Sequence, residues 1–279
     1  MRVGRITTTG AAALAACAVL GMVPAAAQAS SAAVPAWTQQ APATSPPTRI
    51  EASMAYDAAN STVVLFGGEH SGGYLKGTWT WNGTTWTQHH PATSPPPRAN
   101  ASMAYDAATG TVVLFGGDRT GRHFNDTWTW NGTTWTQQHP ATSPPVLTSA
   151  SMAYDAATGT AVLFGGFGGS ARPRRVRNQT WTWDGTTWTR QHPAASPSAR
   201  DAASMVYDAA TGTVVLFGGN TNKPNGHLAD TWTWDGTTWT QQSPATSPPA
   251  SDMGVMAYDA ATSTAVLLPG GTSETWTWG

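Results

Sequence analysis

Hydrophobic and polar positions alternate along several short stretches of the chain, and one alternating stretch recurs. Residues 78–87 read TWTWNGTTWT, and near copies stand at 127–136, 180–189 and 231–240. Alternation with a period of two predicts β-strands with Trp on one face and Thr on the other. Asn-Gly or Asp-Gly between two such runs predicts a hairpin with a two-residue turn, which would place Trp79 opposite Trp86. A large-residue face and a small-residue face suit sheets that stack on copies of themselves.

Two further runs precede each predicted hairpin. In the first unit they are a small-residue strand at 52–57 (ASMAYD) and an apolar strand at 63–66 (VVLF) that ends in a glycine pair. A variable loop leads into the hairpin, and a Pro-rich connector follows it. Each unit therefore has four strands, which we name a, b, c and d. The strand-a tyrosines recur at intervals of 49, 49, 53 and 51 residues, at Tyr56, Tyr105, Tyr154, Tyr207 and Tyr258. Four strands in about 50 residues are typical of a propeller blade, so we predict an all-β propeller of five blades.

The two ends of the repeat array carry matching half-hairpins. Residues 37–40 (WTQQ) equal the end of a hairpin, 135–138, but lack its first half. Residues 275–278 (TWTW) equal the first half of a hairpin and lack the second. We therefore expect the N-terminal strand to complete the last blade and close the ring.

These features resemble the kelch repeat. An apolar strand is followed by Gly-Gly in four units and by Pro-Gly-Gly in the fifth. Residues 125–128 (NDTW) match the aromatic part of the repeat, and Arg98 follows the prolines at a position where kelch repeats often have an arginine. The resemblance covers 37–279 and implies a kelch-type β-propeller of the kind found in the central domain of galactose oxidase. Five blades are fewer than the usual six or seven. The copper cofactor of galactose oxidase requires a tyrosine cross-linked to cysteine, and Cys17 is the single cysteine, so we expect no such cofactor and no metal.

The first 29 residues read as a secretory signal. Arg2 and Arg5 precede an apolar run, and 27–29 (AQA) form a small-residue cleavage site. We expect a leader at 1–29, a linker at 30–36 and the propeller at 37–279, secreted to the cell exterior. The alternative is a lipid anchor on Cys17, because 14–17 (LAAC) resemble a bacterial lipobox.

After removal of the leader, the chain has 12 basic and 15 acidic residues, so its net charge does not favour binding to nucleic acid or to an anionic membrane. We expect no membrane span and a monomer, although a wider ring built from two chains stays open.

Loop variability separates the two rims of the predicted propeller. The a–b and c–d turns are short and nearly identical between units, whereas the b–c loops differ in length and residues. Binding residues concentrate on variable loops held by a rigid scaffold, so we expect any ligand on the rim formed by the b–c loops and d–a connectors. Candidate binding residues there are Arg172, Arg174, Arg175, Arg177, Tyr74, Lys76, Arg119, Arg122, His123, Lys223 and His227.

The four arginines of the third b–c loop could bind a carboxylate, sulfate or phosphate; the alternative is a solvated loop. The Asp residues that end each strand a suggest capping of the next turn rather than a metal site.

The favoured function is a secreted, non-catalytic binding or scaffold propeller for an unknown protein or extracellular glycan. The alternative is a secreted carbohydrate-active enzyme, a hydrolase or oxidase, that uses polar rim residues. Its carboxylates would come from Glu69, Asp118, Asp126 and Asp230, although we expect the last two to cap strand c.

Overall fold

The computed structural model describes residues 39–168 and 175–279. These residues contain β-strands and no helix, and residues 40–279 form one compact unit. Strands β1 to β22 belong to four blades, each a four-stranded antiparallel sheet in the order a-b-c-d, and three of these blades carry an extra short pair on the b–c loop. The fifth blade has three strands, a, b and c, among the described residues. The predicted all-β, five-bladed propeller is confirmed.

Blade 1 comprises β1 (Ser53–Asp57), β2 (Thr62–Phe66), the short pair β3 (Glu69–His70) and β4 (Gly73–Tyr74), β5 (Thr78–Trp81) and β6 (Trp86–His89). Blade 2 comprises β7 (Ser102–Asp106), β8 (Thr111–Phe115), the short pair β9 (Asp118–Arg119) and β10 (Arg122–His123), β11 (Thr127–Trp130) and β12 (Trp135–Gln138). Blade 3 comprises β13 (Ser151–Asp155), β14 (Thr160–Phe164), the short pair β15 (Phe167–Gly168) and β16 (Arg175–Val176), β17 (Thr180–Trp183) and β18 (Trp188–Gln191).

Blade 4 comprises β19 (Ser204–Asp208), β20 (Thr213–Phe217), β21 (Thr231–Trp234) and β22 (Trp239–Gln242). Blade 5 comprises β23 (Val255–Asp259), β24 (Thr264–Leu268) and β25 (Trp276–Trp278).

The c–d hairpins differ from the prediction by their register. Trp81 pairs with Trp86, whereas Trp79 pairs with Gln88, so the connection has four residues, 82–85, and the expected two-residue turn is wrong. The side chain of Asn82 explains the longer turn, because its Oδ1 accepts hydrogen bonds from the backbone of both Thr84 and Thr85. The predicted pair of Trp79 with Trp86 is therefore wrong: Trp86 pairs with Trp81 on the last rung of the ladder, with ring centroids 5.5 Å apart.

Blades stack as the two-faced pattern predicts. The strand-d Trp of one blade lies against the strand-b Phe of the blade before it: Trp135 contacts Phe66 edge to face at 5.3 Å. The indole Nε1 of Trp135 donates a 2.9 Å hydrogen bond to Oγ1 of Thr78 on the same preceding blade. Trp188 and Trp239 repeat both contacts in the next two interfaces. The Thr face therefore accepts from the indoles of strand d, whereas the buried Nε1 atoms of Trp130, Trp183 and Trp234 on strand c have no hydrogen-bond partner among the described residues.

The turns and loops divide between the two rims as expected. A Cβ on Gly185, in a c–d turn, would meet Thr109 in the a–b turn of the preceding blade, so these turns share one rim, which we call the turn rim. The Asp that ends each strand a caps the adjoining turn, as predicted; Asp106 Oδ1, for example, accepts from the backbone of Ala108 and Thr109. On the other rim, which we call the loop rim, d–a connectors pair with b–c loops, as Ala99 does with Asp118.

The last blade leaves a groove at the place of a fourth strand. Its walls include Phe217 and Thr231 of blade 4, which correspond to the Phe and Thr that hold Trp135, and Trp276 and Trp278 of blade 5. The expected N-terminal strand falls on Trp37, which lies outside the described residues. Completion of this blade by Trp37 therefore stays a prediction.

Candidate functional site

The loop rim is built on a repeated backbone framework. One residue per blade, just before strand a, has a left-handed conformation: Glu51, Asn100, Ser149, Ala202 and Met253. The N–H of each of the last four donates to the carbonyl of the residue before it in this series, at 2.9–3.0 Å. This line of hydrogen bonds links successive blades beside the inner strands and fixes the b–c loops relative to one another.

A network of carboxylates and amides lies along this line, and we call it the inner network. Asn100 Nδ2 donates to Glu51 Oε2 at 2.7 Å, and Thr148 Oγ1 donates to Asp118 Oδ1 at 2.8 Å. Asn222 Nδ2 donates to Asp201 Oδ2 at 3.2 Å, and Asn220 Nδ2 donates to Asp252 Oδ2 at 3.1 Å. His227 Nδ1 lies 3.3 Å from Asp252 Oδ1. The network therefore presents acceptors on neighbouring blades of one rim.

Two ionisable groups of the loop rim have raised pKa values. Burial raises the pKa of Asp201, and the nearby charge of Asp252 adds to the rise, although the hydrogen bond from Asn222 acts against it. In blade 1, a backbone hydrogen bond from Thr120 favours the ionised form of Tyr74, but burial and the charges of Asp118 and Glu69 outweigh it and raise the pKa of Tyr74. Both shifts reflect negative potential on the loop rim.

Those predicted binding residues that the structure describes lie on the loop rim but do not converge on one pocket. Arg119 and Arg122 line a groove with Pro96, Thr120 and Phe124. A second groove contains Tyr74 and Lys76 beside His89 and His90. A third contains His70 and Glu69 beside Arg49 and Ile50. The rim thus offers several separate recesses.

The remaining candidates are distributed over the other blades. His123 lies 6.0 Å from Phe167 of the next blade, measured between ring centroids. His227 joins the inner network, and Lys223 is exposed on the same loop. Arg175 is exposed, whereas Arg177 is half-buried and pairs through its backbone with Arg200. Arg172 and Arg174 lie outside the described residues, so the four-arginine anion site stays a prediction.

Asp126 and Asp230 do not act as rim carboxylates. Arg98 is fully buried and binds Asp126 through two hydrogen bonds, Nη1 to Oδ1 at 2.6 Å and Nη2 to Oδ2 at 2.7 Å. Arg200 binds Asp230 in the same way. Burial alone would raise the pKa of either carboxyl, but the hydrogen bonds and charge of the arginine lower it. The expectation that these aspartates only cap strand c is therefore incomplete, because each forms a buried ion pair within its blade.

Sequence reasoning missed the inner network. Glu51, Asp201 and Asp252 lie in d–a connectors on the rim expected to bind a ligand, but the candidate residues include none of them. A signal was available, because residues that precede strand a differ between units in a chain that otherwise repeats closely. Among residues 39–168 and 175–279, no group of three or more His, Cys, Asp or Glu side chains has an arrangement that could hold a metal ion.

Sheets of four strands stacked face to face, with short turns on one rim and variable loops on the other, define a β-propeller. Residues 31–166 match the family model described as the KLHDC2/KLHL20/DRC7 Kelch-repeats domain. The glycine pair and the Trp-rich strands continue beyond this match in the remaining blades. The protein is therefore a kelch-repeat β-propeller protein. A search of curated proteins found no match.

Kelch propellers serve in general as binding or scaffold domains. Within the described part of the chain, no helix combines the length and hydrophobicity needed to cross a bilayer.

Proposed function

We propose that this protein is a secreted, non-catalytic binding propeller that recognises a protein or an extracellular glycan through its loop rim. One observation carries the proposal: variation between blades is concentrated on one rim, whereas the other rim repeats the same turns. The a–b turns and c–d turns interlock between blades through near-identical contacts, so they build the scaffold. The loop rim differs in every blade and contains the grooves and charges described above.

The chemistry of the rim supports recognition by polar contacts. The inner network offers carboxylate oxygens from Glu51, Asp201 and Asp252, which suit hydroxyl, ammonium or guanidinium groups. Arg119, Arg122 and Lys76 add donors in separate grooves of the same rim. The ring of Phe124 is buried and supports two cations, since Arg98 and Arg122 lie 4.2 and 5.4 Å from its centre. Mixed donors and acceptors suit the polar groups of a sugar or of a protein surface.

Secretion rests on the pattern of residues 1–29. The lipid-anchored alternative would retain Cys17. Mass spectrometry of the native mature protein distinguishes the two, because cleavage after Ala29 leaves no cysteine, whereas a lipoprotein begins at a diacylglyceryl-modified Cys17.

The binding proposal is tested by screening the mature protein on arrays of extracellular glycans and cell-wall polymers, and by chemical cross-linking to secreted proteins. Hits are then measured by calorimetry with three variants. Glu51→Gln with Asp252→Asn weakens the inner network, and Arg119→Ala with Arg122→Ala removes the cations of blade 2. Ala107→Lys alters the exposed turn rim and is the matched control.

We expect at least one loop-rim variant to weaken binding about tenfold or more, equivalent to about 1.4 kcal/mol, while Ala107→Lys leaves it unchanged. Loss of binding in Ala107→Lys alone would place the site on the turn rim and refute the proposal. Turnover of a bound glycan by the wild-type protein would favour the carbohydrate-active enzyme instead.

A further inference from the structure

The two end blades expose apolar side chains that the same repeat buries elsewhere. Met54 in blade 1 is 54% exposed, whereas its counterpart Met103 in blade 2 is 9% exposed. Within the described residues, the exposed large hydrophobic side chains all lie in or just before strands of blades 1 and 5: Ile50, Met54, Tyr56, Met253, Val255 and Leu268. The inner strands pack in the series β1–β7–β13–β19–β23, and no comparable packing joins β23 to β1. Blades 1 and 5 thus each leave inner-strand side chains of one face exposed, although Leu65 and Trp79 on that face of blade 1 are buried.

The two uncovered faces are of different kinds. Each interior interface joins the aliphatic face of one blade, with residues such as Val64 and Phe66, to the tryptophan face of the next, with residues such as Met103 and Trp135. The interfaces between blades 2 and 3 and between blades 3 and 4 repeat this arrangement. The partly exposed face of blade 1 is a tryptophan face, and that of blade 5 is an aliphatic face. The chain therefore carries both halves of an interface that it already forms between its own blades.

The residue types on the end faces of blades 1 and 5 indicate that another surface packs on them. Val255 occupies the position that is Ser53, Ser102, Ser151 and Ser204 in the other blades. In three of those blades the serine Oγ donates to a carbonyl of the next blade. Ile50 and Met253 likewise occupy positions at which other blades have smaller or polar residues. A face that stayed in water would gain nothing from these larger apolar side chains.

The backbone also has a free donor and a free acceptor at these ends. The line of hydrogen bonds through the left-handed residues starts at Glu51, whose N–H has no bond among the described residues. It ends at Met253, whose carbonyl has none. A blade 1 placed on a blade 5 would add the missing bond from Glu51 N–H to Met253 O.

The faces of blades 1 and 5 are the two complementary halves of one kind of interface, and this chain carries both halves. We propose that the occupant is a second copy of this chain, with the tryptophan face of blade 1 in one copy packed on the aliphatic face of blade 5 in the other. The contact is head-to-tail, because different surfaces of the two copies meet. This proposal differs from the monomer that the sequence led us to expect.

Analytical ultracentrifugation of the mature protein with two charge variants tests this contact. Met54→Lys places a charge on the tryptophan face of blade 1, and Val255→Lys places a charge on the aliphatic face of blade 5. Both residues are exposed, so both variants should keep the melting temperature of the wild type. We expect wild-type protein to form larger species as its concentration rises and each variant alone to stay monomeric. An equimolar mixture of the two should form dimers only, because each variant keeps the face that the other lacks.

Tyr56→Lys and Leu268→Lys repeat the design with different residues, and Ala107→Lys on the turn rim should associate like wild type. A monomeric wild-type protein at all concentrations overturns the proposal. So does a mixture that stays monomeric although each variant is folded, because that result indicates a contact between identical faces. A large fall in melting temperature for both variants, with a monomeric wild type, would mean that the two faces meet within one chain.

Discussion

The buried ion pair between Arg98 and Asp126 should make a large contribution to stability that can be removed by one substitution. Asp126 accepts two hydrogen bonds from Arg98 and a third from Trp128 Nε1 at 2.8 Å. Arg98 is fully buried and Asp126 has 17% of its side chain exposed. Asp126→Asn keeps the shape but leaves the guanidinium without a counter-charge. Breaking a buried pair in this way costs about 3–5 kcal/mol, which lowers the melting temperature by roughly 6–20 °C in a chain of this size.

The same pair should make stability depend on pH in a defined direction. Burial alone would raise the pKa of Asp126, but Arg98 lowers it below its ordinary value. A carboxyl with a lowered pKa in the folded state contributes its full stability above the unfolded-state pKa, which is about 4. The contribution is lost as pH falls from there through the folded-state pKa. The difference in unfolding free energy between wild type and Asp126→Asn should therefore shrink below about pH 4.

Chemical denaturation of wild type, Asp126→Asn and a matched control gives these free energies. The control is Asp235→Asn, in an exposed turn where Asp235 Oδ1 accepts from the backbone of Thr237 and Thr238. Asn82 and Asn131 make the same bonds in the turns of blades 1 and 2, so this change should alter stability by less than about 0.5 kcal/mol. A loss below about 1 kcal/mol for Asp126→Asn, or an equal loss in the control, would refute the assignment of stability to the ion pair.

Three further changes exploit differences between blades. Gly77 of blade 1 stands where blade 2 has Asp126. Arg49 already donates to Gly67 as Arg98 does to Gly116. Gly77→Asp should therefore supply a carboxylate for Arg49 and stabilise the protein by about 1–3 kcal/mol in thermal or denaturant unfolding. His89 of blade 1 occupies the place of Gln138 in blade 2. Burial, together with the charge of His90, lowers the pKa of His89. The free energy of unfolding should therefore fall as pH drops below the unfolded-state pKa of about 6.5. His89→Gln should keep the bond to Thr80 and reduce that slope in unfolding measured from pH 7.5 to 5; an unchanged slope would assign it to another group. Trp37 should fill the groove at Thr231, Phe217 and Thr246. The double variant Thr38→Cys/Thr277→Cys should therefore form a disulfide within one chain, detected by non-reducing electrophoresis and peptide mapping. A disulfide only between chains would show that another copy supplies the strand.

The repeat itself determined the fold class and the division of the rims. Period-two alternation, glycine pairs and the spacing of the tyrosines predict strands, turns and blade number, because each blade meets the same local requirements for burial and chain reversal. The alternation of Trp and Thr also predicts which faces meet, since the indole of strand d finds apolar contact and an acceptor for its N–H on the preceding blade.

Register and long-range pairing required the tertiary structure. The four-residue c–d turn depends on hydrogen bonds from the backbone to Asn82, which compete with the two-residue turn that Asn-Gly usually favours. The bond between Arg98 and Asp126 joins residues 28 positions apart, and no local pattern specifies it. The inner network likewise forms between blades, as Asn100 and Glu51 show. Local periodicity therefore decides how each blade is built, whereas the distances between blades decide which polar groups find partners and which apolar faces stay uncovered.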